Sequence, residues 1–545
     1  MKRVILAFAV ALAGWGGAGS AALPALASSL CVGSGSGCYP TIQAALNAAR
    51  DGDVIHIGAG TFAGGIVINV SVQIIGAGAQ STIIKGGGPV VIIGQAQAPT
   101  EPTVSLTGVT ITGGRNTSVP APVATLGGGI RVPPGANGPG ATVTITDSVI
   151  TDNAAIPTAS TPAPQACPTC QLAFAQGGGI LNRGVMTLTN TVVSHNRVGD
   201  MEGMPAFASD ARGAGIFTGF GDSLTLNSSV VSGNHALVTA PNGRSVDAGG
   251  IWVGRNGTLT VNDSQVDDNT ADVSTSVATA GPNAAETGAS SGGIHVIPGA
   301  TAMIRGTSIT GNEVSETNNG GDAIAFSGGI DNDGSLVLRD STVSNNRVNA
   351  TTTFTGSPAG SAFVDSGALE IEGAATISNT KFLGNTVSAI SAAGSAFANP
   401  GGIGAIPSQP VTISDSLISA NSAFAASNTG QANAQGGGLL VFGVVTLRDT
   451  TVSQNVASAS GSSGVAQGGG IWNGPPFPGL TGTSTLTLID SLVTGNSLIA
   501  SPGIPRQGGG LFNAPGETVT LTGTVISGNA PDNCYPPNTI AGCSG

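Results

Sequence analysis

Charge is scarce in this sequence. Only 8% of its 545 residues are Asp, Glu, Lys or Arg, about a third of the usual share. Three of the 17 basic residues are Lys (Lys2, Lys85, Lys381), aromatics make up 4% and there are four His. No basic run occurs and the net charge is −12, which disfavours a nucleic-acid partner, because phosphate neutralisation needs clustered Lys and Arg. Few helix-forming charged residues and 87 Gly also argue against a helical or ordinary α/β chain. Low charge does not imply disorder in this case, since 40% of residues are hydrophobic. The Gly show no collagen period. No P-loop, nucleophile elbow or calcium-binding nonapeptide repeat is present.

The longest apolar run lies at the N-terminus and is short. Lys2 and Arg3 precede an apolar core, Val4 to Ala13, and Ala25-Leu26-Ala27 is an A-x-A cleavage signature. Residues 1–27 are therefore expected to be a secretory signal peptide, being too short for a transmembrane anchor. Removing Lys2 and Arg3 leaves 15 basic against 29 acidic residues. The six Cys fall into three local pairs: Cys31 with Cys38, Cys167 with Cys170, and Cys534 with Cys543. Even number, short spacing and export predict three disulfides, the outer two stapling the chain ends.

What the sequence has in abundance is self-similarity. The pattern h-x-h-x-[DNSG]-[ST]-x-[VIF]-x-x-N occurs eleven times, ending at Asn153, Asn196, Asn234, Asn269, Asn312, Asn346, Asn385, Asn421, Asn455, Asn496 and Asn529. A Ser or Thr stands five residues before every one of these Asn, and successive Asn are 33 to 43 residues apart. Each copy follows a Gly-Gly-Ile element or a variant of it, such as Gly178-Gly179-Ile180 or Gly469-Gly470-Ile471. A period in this range signals a solenoid, and apolar positions alternating with period two make its units strands.

The fold expected is all-β, a right-handed parallel β-helix with a short N-terminal capping helix at Thr41 to Arg50, since a solenoid must cover its apolar end. Residues 28–545 form one domain: 28–126 cap and opening coils, 127–529 the eleven repeats, 530–545 a C-terminal cap. Eleven repeats plus about three opening coils give a rod of roughly 65 Å at about 4.8 Å per coil. Gly-Gly marks a bend with close backbone approach. The Asn and Ser/Thr columns are hydrogen-bonding ladders, and the remaining Ala/Ser-rich stretches are loops on one side. Some of those loops carry Phe174, Phe363 or Phe397, expected to stack.

The segment TIQAALNAARDGDVIHIGAGTF resembles the N-terminal cap of the pectin-lyase-like, right-handed parallel β-helix superfamily. The alternation of Gly-Gly-Ile with a hydrophobic-x-x-Asn element is similar to the repeats of polymorphic outer-membrane proteins, with Phe382-Leu383-Gly384-Asn385 the one strict match to their FxxN motif. The superfamily spans lyases, hydrolases, epimerases, adhesins and tailspikes, so the resemblance implies fold more than activity. Those surface proteins carry a C-terminal membrane barrel, and no counterpart of it is expected within residues 1–545.

Candidate chemistry lies in the residue after each Gly-Gly-Ile, which should point outward when Ile points inward. That column reads Arg131, Leu181, Phe217, Trp252, His295, Asp331, Glu370, Gly404, Leu440, Trp472, Phe512, an expected surface stripe with a polar middle and aromatic flanks. Asp331 and Glu370 are the candidate acid–base pair for a glycosidic bond. Trp252, His295 and Trp472 are candidate glycan contacts. Asp331, Asp333, Glu370 and Glu372 would offer oxygen ligands to Ca²⁺. Against catalysis, no Lys or Arg accompanies these carboxylates, and Asp331-Asn332-Asp333-Gly334 is also a good turn sequence.

The expectation is a secreted or cell-surface protein of bacterial type, extracellular or at the outer membrane. Its role would be structural, adhesive or glycan-binding, with polysaccharide or a cell-surface molecule as partner, no nucleic acid and no transmembrane anchor in the mature chain. The alternative is a polysaccharide lyase or glycoside hydrolase working in a groove on the outer strand face. An antifreeze-like or matrix role through flat Thr/Ser ladders is a third reading.

Overall fold

The computed structural model describes residues 27–117, 124–157, 174–200, 210–239, 245–275, 288–475 and 482–543. The expected signal segment, but for Ala27, lies outside them. So do Cys167 and Cys170, and with them the disulfide expected between them. The chain is a right-handed parallel β-helix built from five sheets, each paired in parallel from coil to coil.

One coil shows the plan. Val185–Thr189 belongs to sheet 1, Val192–Ser194 to sheet 2, Arg197–Gly199 to sheet 3, Asp210–Arg212 to sheet 4 and Ile216–Thr218 to sheet 5. Sheet 1 has 15 strands, sheets 2 and 5 have 14, and sheets 3 and 4 have 11. The longest stack is thus one strand above the fourteen coils counted from the repeats. Sheets 1, 2 and 5 enclose one core in which Leu188, Val193 and Ile180 and their equivalents are fully buried. The alternation that identified the strands is the cause: every second residue meets the interior, where each buried Val, Ile or Leu contributes about 1.5–3 kcal/mol.

The other half of each repeat departs from expectation. The Ala-rich stretches read as loops form sheets 3 and 4, which pack on each other around a second, separate core of Ala and Val (Val198, Ala211, Ala350, Ala398, Ala459). They make a fin that begins at Arg115–Asn116 and ends at Arg506–Gln507. Phe363 and Phe397 do stack on it, ring centroids 5.0 Å apart.

The fin explains Gly-Gly. A Cβ on Gly178 would stand 2.2 Å from the Arg197 carbonyl oxygen, and one on Gly179 would stand 2.6 Å from that of Gly215. These residues sit where the returning fin strand re-enters the helix beside the Asn ladder, and only hydrogen fits. The Asn ladder itself is as expected. Asn234 donates its side-chain amide to Asn269 Oδ1 at 2.9 Å and to the Val193 carbonyl at 3.0 Å, while Asn269 Oδ1 also accepts from the Asn234 backbone at 3.1 Å. The Ser/Thr column accepts from the preceding coil in the same way, as Ser264 Oγ does from the Ser229 N–H at 3.0 Å.

The N-terminal end is closed by helix α1, Ile42–Ala48. Thr41 caps it, accepting from the Ala44 N–H, and Ile42, Ala45 and Leu46 turn into the core. Disulfides Cys31–Cys38 and Cys534–Cys543 are formed near the two ends, as expected of the outer two pairs.

Candidate functional site

The residue after each Gly-Gly-Ile does point away from the helix core, but it does not reach the surface. The fin rises directly beside sheet 5, so the outward column meets the last outward residues of sheet 4 across a re-entrant corner. Trp252 is 2% exposed and Trp472 is 3% exposed. The expected surface stripe is therefore a buried seam, and this corrects the reading of Trp252 and Trp472 as open sugar platforms. Trp252 stacks on Phe217 at 4.4 Å between centroids, with Leu181 and Ala248 in the same cluster. Trp472 stacks on Phe512, and Phe512 on Tyr535. The physical reason is the fin, which stands where loops are expected: outward from one sheet is inward between two.

Between these apolar lengths the seam turns ionic. His295, Asp331 and Glu370 occupy three successive strands of sheet 5 in direct register, and all are below 9% exposed. Sheet 4 brings Asp247, Ser290 and Asp365 to the same corner. His295 Nε2 lies 3.7 Å from Asp331 Oδ2 and 3.4 Å from Asp333 Oδ2. Ser290 Oγ is 3.5 Å from His295 Nδ1 and donates to Asp331 Oδ2 at 3.2 Å. Ser327 donates to Glu370 at 2.8 Å, and Ser366 to Asp365 at 2.8 Å. Asp333 and Glu372, two residues beyond the buried pair, are more exposed and form the rim.

The turn from sheet 4 into sheet 5 is left-handed. Gly takes it in most coils, for example Gly177 at φ 66° and Gly468 at φ 60°. Ser291, Ser327 and Ser366 take it in the coils of the ionic segment, at φ 57°, 52° and 55°. A side chain in this region costs of order 1 kcal/mol. Two of these three Ser use the position to bond a buried carboxyl.

Burial dominates the electrostatics. It raises Asp331 to about 6 against the pull of His295. It raises Asp365 to about 7, with Ser366 opposing and Glu372 and Asp331 adding. Glu370 is pushed well above the usual carboxylate range by burial, then by Asp365 and Asp331. Burial alone would discharge His295, but Asp331, Asp333 and Asp247 outweigh it and lift the imidazole to about 9. At neutral pH the segment holds an imidazolium beside Asp331, while burial favours the protonated form of Glu370.

The sequence-predicted residues thus divide. His295, Asp331, Asp333, Glu370 and Glu372 converge on one short length of the corner. The oxygen-only Ca²⁺ set does not form a single cage, because Glu370 turns to Ser327. Among the described residues the one group of three His, Cys, Asp or Glu poised around a point is His295, Asp331 and Asp333, their ligand atoms within 4.8 Å of one another. Sequence reasoning missed Asp247, Ser290 and Asp365, which lie on fin strands that carry no fixed motif to place them. It also missed Phe220, 56% exposed, edge-on to Trp252 at 6.2 Å and with the Arg183 guanidinium 5.5 Å from its ring centroid. A cleft of about 280 Å³ lies elsewhere, lined by Arg115, Asp152, His195 and Arg197.

No protein-family model matches the chain, and no curated protein matches it. Among solved structures it is similar to the A-module of mannuronan C-5 epimerase AlgE6 from Azotobacter vinelandii, at 13% identity and TM-score 0.30, covering 91% of this chain and 94% of that one. It is likewise similar to the AlgE4 A-module of the same organism, at 14% identity, TM-score 0.26, and 89% and 95% coverage. A polygalacturonase from Erwinia carotovora ssp. carotovora matches at 12% identity, TM-score 0.23, and 89% and 96% coverage.

Proposed function

We propose that the protein is an exported β-helix that binds an extended polysaccharide along the corner between fin and helix, serving a structural or adhesive role at a bacterial cell surface. One observation carries this reading: between two aromatic-lined lengths the seam becomes His295, Asp331 and Glu370 on three successive strands, at the coils where Ser replaces Gly in a strained turn. Functional sites are where such local rules are broken. The rim residues Asp333 and Glu372 accept hydrogen bonds from sugar hydroxyls, and exposed Phe220 supplies a ring face near the same seam. Their negative charge favours a neutral, hydroxyl-rich glycan over a polyuronate, whose carboxylates would meet like charge. The signal segment, the disulfides and the likeness of the repeats to polymorphic outer-membrane proteins support export and a surface location. Among the described residues no helix is long and apolar enough to cross a membrane.

A second reading, a glycoside hydrolase or lyase, is favoured by the protonation pattern. Burial and its acidic neighbours favour the protonated form of Glu370, and Asp331 pairs with it in the sheet register, which puts two carboxyl groups of unequal acidity on adjacent strands, the pairing such chemistry needs. Both readings are tested together. Binding to neutral and acidic polysaccharides is measured for wild type, Phe220→Ala and Glu372→Gln, alongside release of reducing ends or unsaturated products by wild type, Asp331→Asn and Glu370→Gln. Weakened binding in the first two variants, without product release, supports the binding protein. Product release abolished by the second two supports the enzyme. Absence of both binding and product formation on every polysaccharide removes both readings.

A further inference from the structure

We infer that His295, Asp331 and Asp333 form a binding site for a single divalent transition-metal ion of the Zn²⁺ type, set at the rim of the ionic corner. The inference does not depend on the glycan reading.

Geometry comes first. Two ligands each about 2.1 Å from a tetrahedral ion stand ~3.4 Å apart. His295 Nε2 is 3.4 Å from Asp333 Oδ2 and 3.7 Å from Asp331 Oδ2, so the three atoms surround a point at bonding distance after a shift of a few tenths of an ångström. Two of the ligands come from one strand and its turn, Asp331 and Asp333. The third comes from the preceding strand, where His295 pairs with Asp331 in the sheet register. The backbone ladder therefore fixes the triad before any ion arrives.

The second argument is the orientation of the imidazole. Nδ1 faces Ser290 Oγ at 3.5 Å, and that hydroxyl donates its own proton to Asp331. A metal-binding His is characteristically held through its other ring nitrogen in this way. Nε2 is left confronting two carboxylate oxygens, a position that calls for a cation, either a proton or a metal.

The third argument is charge. Asp331 and Asp333, with Glu370 and Glu372 on the next coil and Asp365 on the fin strand beside them, gather at one corner, and the cation in contact with the first two is His295. Buried carboxylates are ordinarily paired or bound to metal, and a dication would supply what this segment lacks. A ligand set with an imidazole selects Zn²⁺ and its neighbours over Ca²⁺, which takes six to eight oxygens. Three protein ligands leave a fourth position. Asp333 is the most exposed of the three, so that position faces solvent beside Glu372, where water or a sugar hydroxyl would be polarised.

The test is calorimetric titration of the untagged, disulfide-intact chain with Zn²⁺, Mn²⁺ and Ca²⁺ in separate runs, with Co²⁺ absorption as a report on coordination. One Zn²⁺ per chain is expected, bound more tightly than Ca²⁺, with His295→Gln and Asp333→Asn each weakening it at least about tenfold and Ser290→Ala about tenfold. Co²⁺ should give a visible spectrum of a four-coordinate nitrogen–oxygen site that disappears in both ligand variants. Circular dichroism checks that the variants fold. Asp333 is partly exposed, so Asp333→Asn decides the matter if His295→Gln does not fold. Tighter Ca²⁺ than Zn²⁺, no stoichiometric Zn²⁺ in wild type, or undiminished Zn²⁺ in a folded ligand variant would overturn the inference. Loss of glycan binding with Zn²⁺ binding intact would remove the proposed function and leave the metal site standing.

Discussion

Asn312 and Asn346 are joined twice. The backbone N–H and the side-chain amide of Asn312 both donate to Asn346 Oδ1, at 3.0 Å each, and Asn312 also donates to the Val266 carbonyl of the preceding coil at 2.9 Å. The same arrangement repeats from Asn153 to Asn529, so each interior amide is saturated where water is excluded. Asn312→Ala removes one side chain but orphans the donors of Asn269 and the Val266 carbonyl, and Asn269 and Asn312 are both at 0% exposure. Each buried group left unmade costs about 1–3 kcal/mol. The expected loss is about 3 kcal/mol or more, read as a lower denaturation midpoint, whereas Asn529→Ala at the less covered end should cost clearly less. Equal, small effects at both sites would show the ladder to be passive.

Ser291 makes the opposite prediction. It sits at φ 57° with its hydroxyl buried and without a hydrogen-bond partner among the described residues. Gly accepts this conformation without cost, so Ser291→Gly should stabilise the protein by about 1 kcal/mol. Ser327→Gly gains the same relief but strips Glu370 of its donor, so it should stabilise less or not at all. A Ser291→Gly variant that melts below wild type would mean the hydroxyl is engaged.

The two cores separate the fin from the helix energetically. Ala350, Ala389 and Ala425 face the fin interior at 0% exposure in successive coils. Ala389→Leu forces three further carbons between sheets packed on small Ala and Val side chains, at a cost of about 1–3 kcal/mol. Hydrogen exchange should accelerate in Thr386–Ser391 and Ala396–Asn399 while amides of the sheet 1 strand Ala374–Ser378 stay protected. Uniform acceleration across the coil would show fin and helix to be one cooperative unit.

Acidity should strengthen part of this molecule. Burial raises Asp222 to about 6 and Asp210 to about 7, in each case against the pull of a nearby Arg, Arg183 at 3.3 Å and Arg212 at 2.7 Å. A carboxyl whose folded pKa is raised binds more protons folded than unfolded. Its contribution is full below about pH 4 and is lost as the pH climbs to about 6 or 7. For Asp222 the change is at most about 3 kcal/mol and is reduced by solvent screening. Unfolding free energy measured from pH 4 to 8 should therefore decline more steeply in wild type than in Asp222→Asn. Parallel profiles would contradict the assignment.

The repeat, the strand period, the cap and the Asn and Ser/Thr columns were all legible because each is a pattern in residue type at fixed spacing. The fin was not. Its strands carry Ala at alternate positions, as in Ala432-Asn433-Ala434, and Ala neither marks a strand by propensity nor a core by bulk. Its turns vary in length, which hid its register from self-comparison. From that single omission follows the misplacement of the Trp252 and Trp472 column, since which side of a strand is outside depends on what stands next to it. The ionic cluster was found nonetheless, because His295, Asp331 and Glu370 lie on strands whose register the Gly-Gly-Ile element already fixed. Ser290 and Asp365 approach it through the fin and carried no comparable mark.

The fin's turns differ freely while the Asn bonds do not. Four residues, 319–322, link the paired fin strands in one coil, nine, 353–361, in the next, and two, 461–462, further along, yet the amide-to-amide distances stay at 2.9–3.0 Å throughout. The helix is thus indifferent to what is spliced into its outer margin. New sequence added at a fin tip leaves every interior register as it was, so lineages of such a chain could diversify their outermost face by insertion and deletion without re-solving the problem of folding.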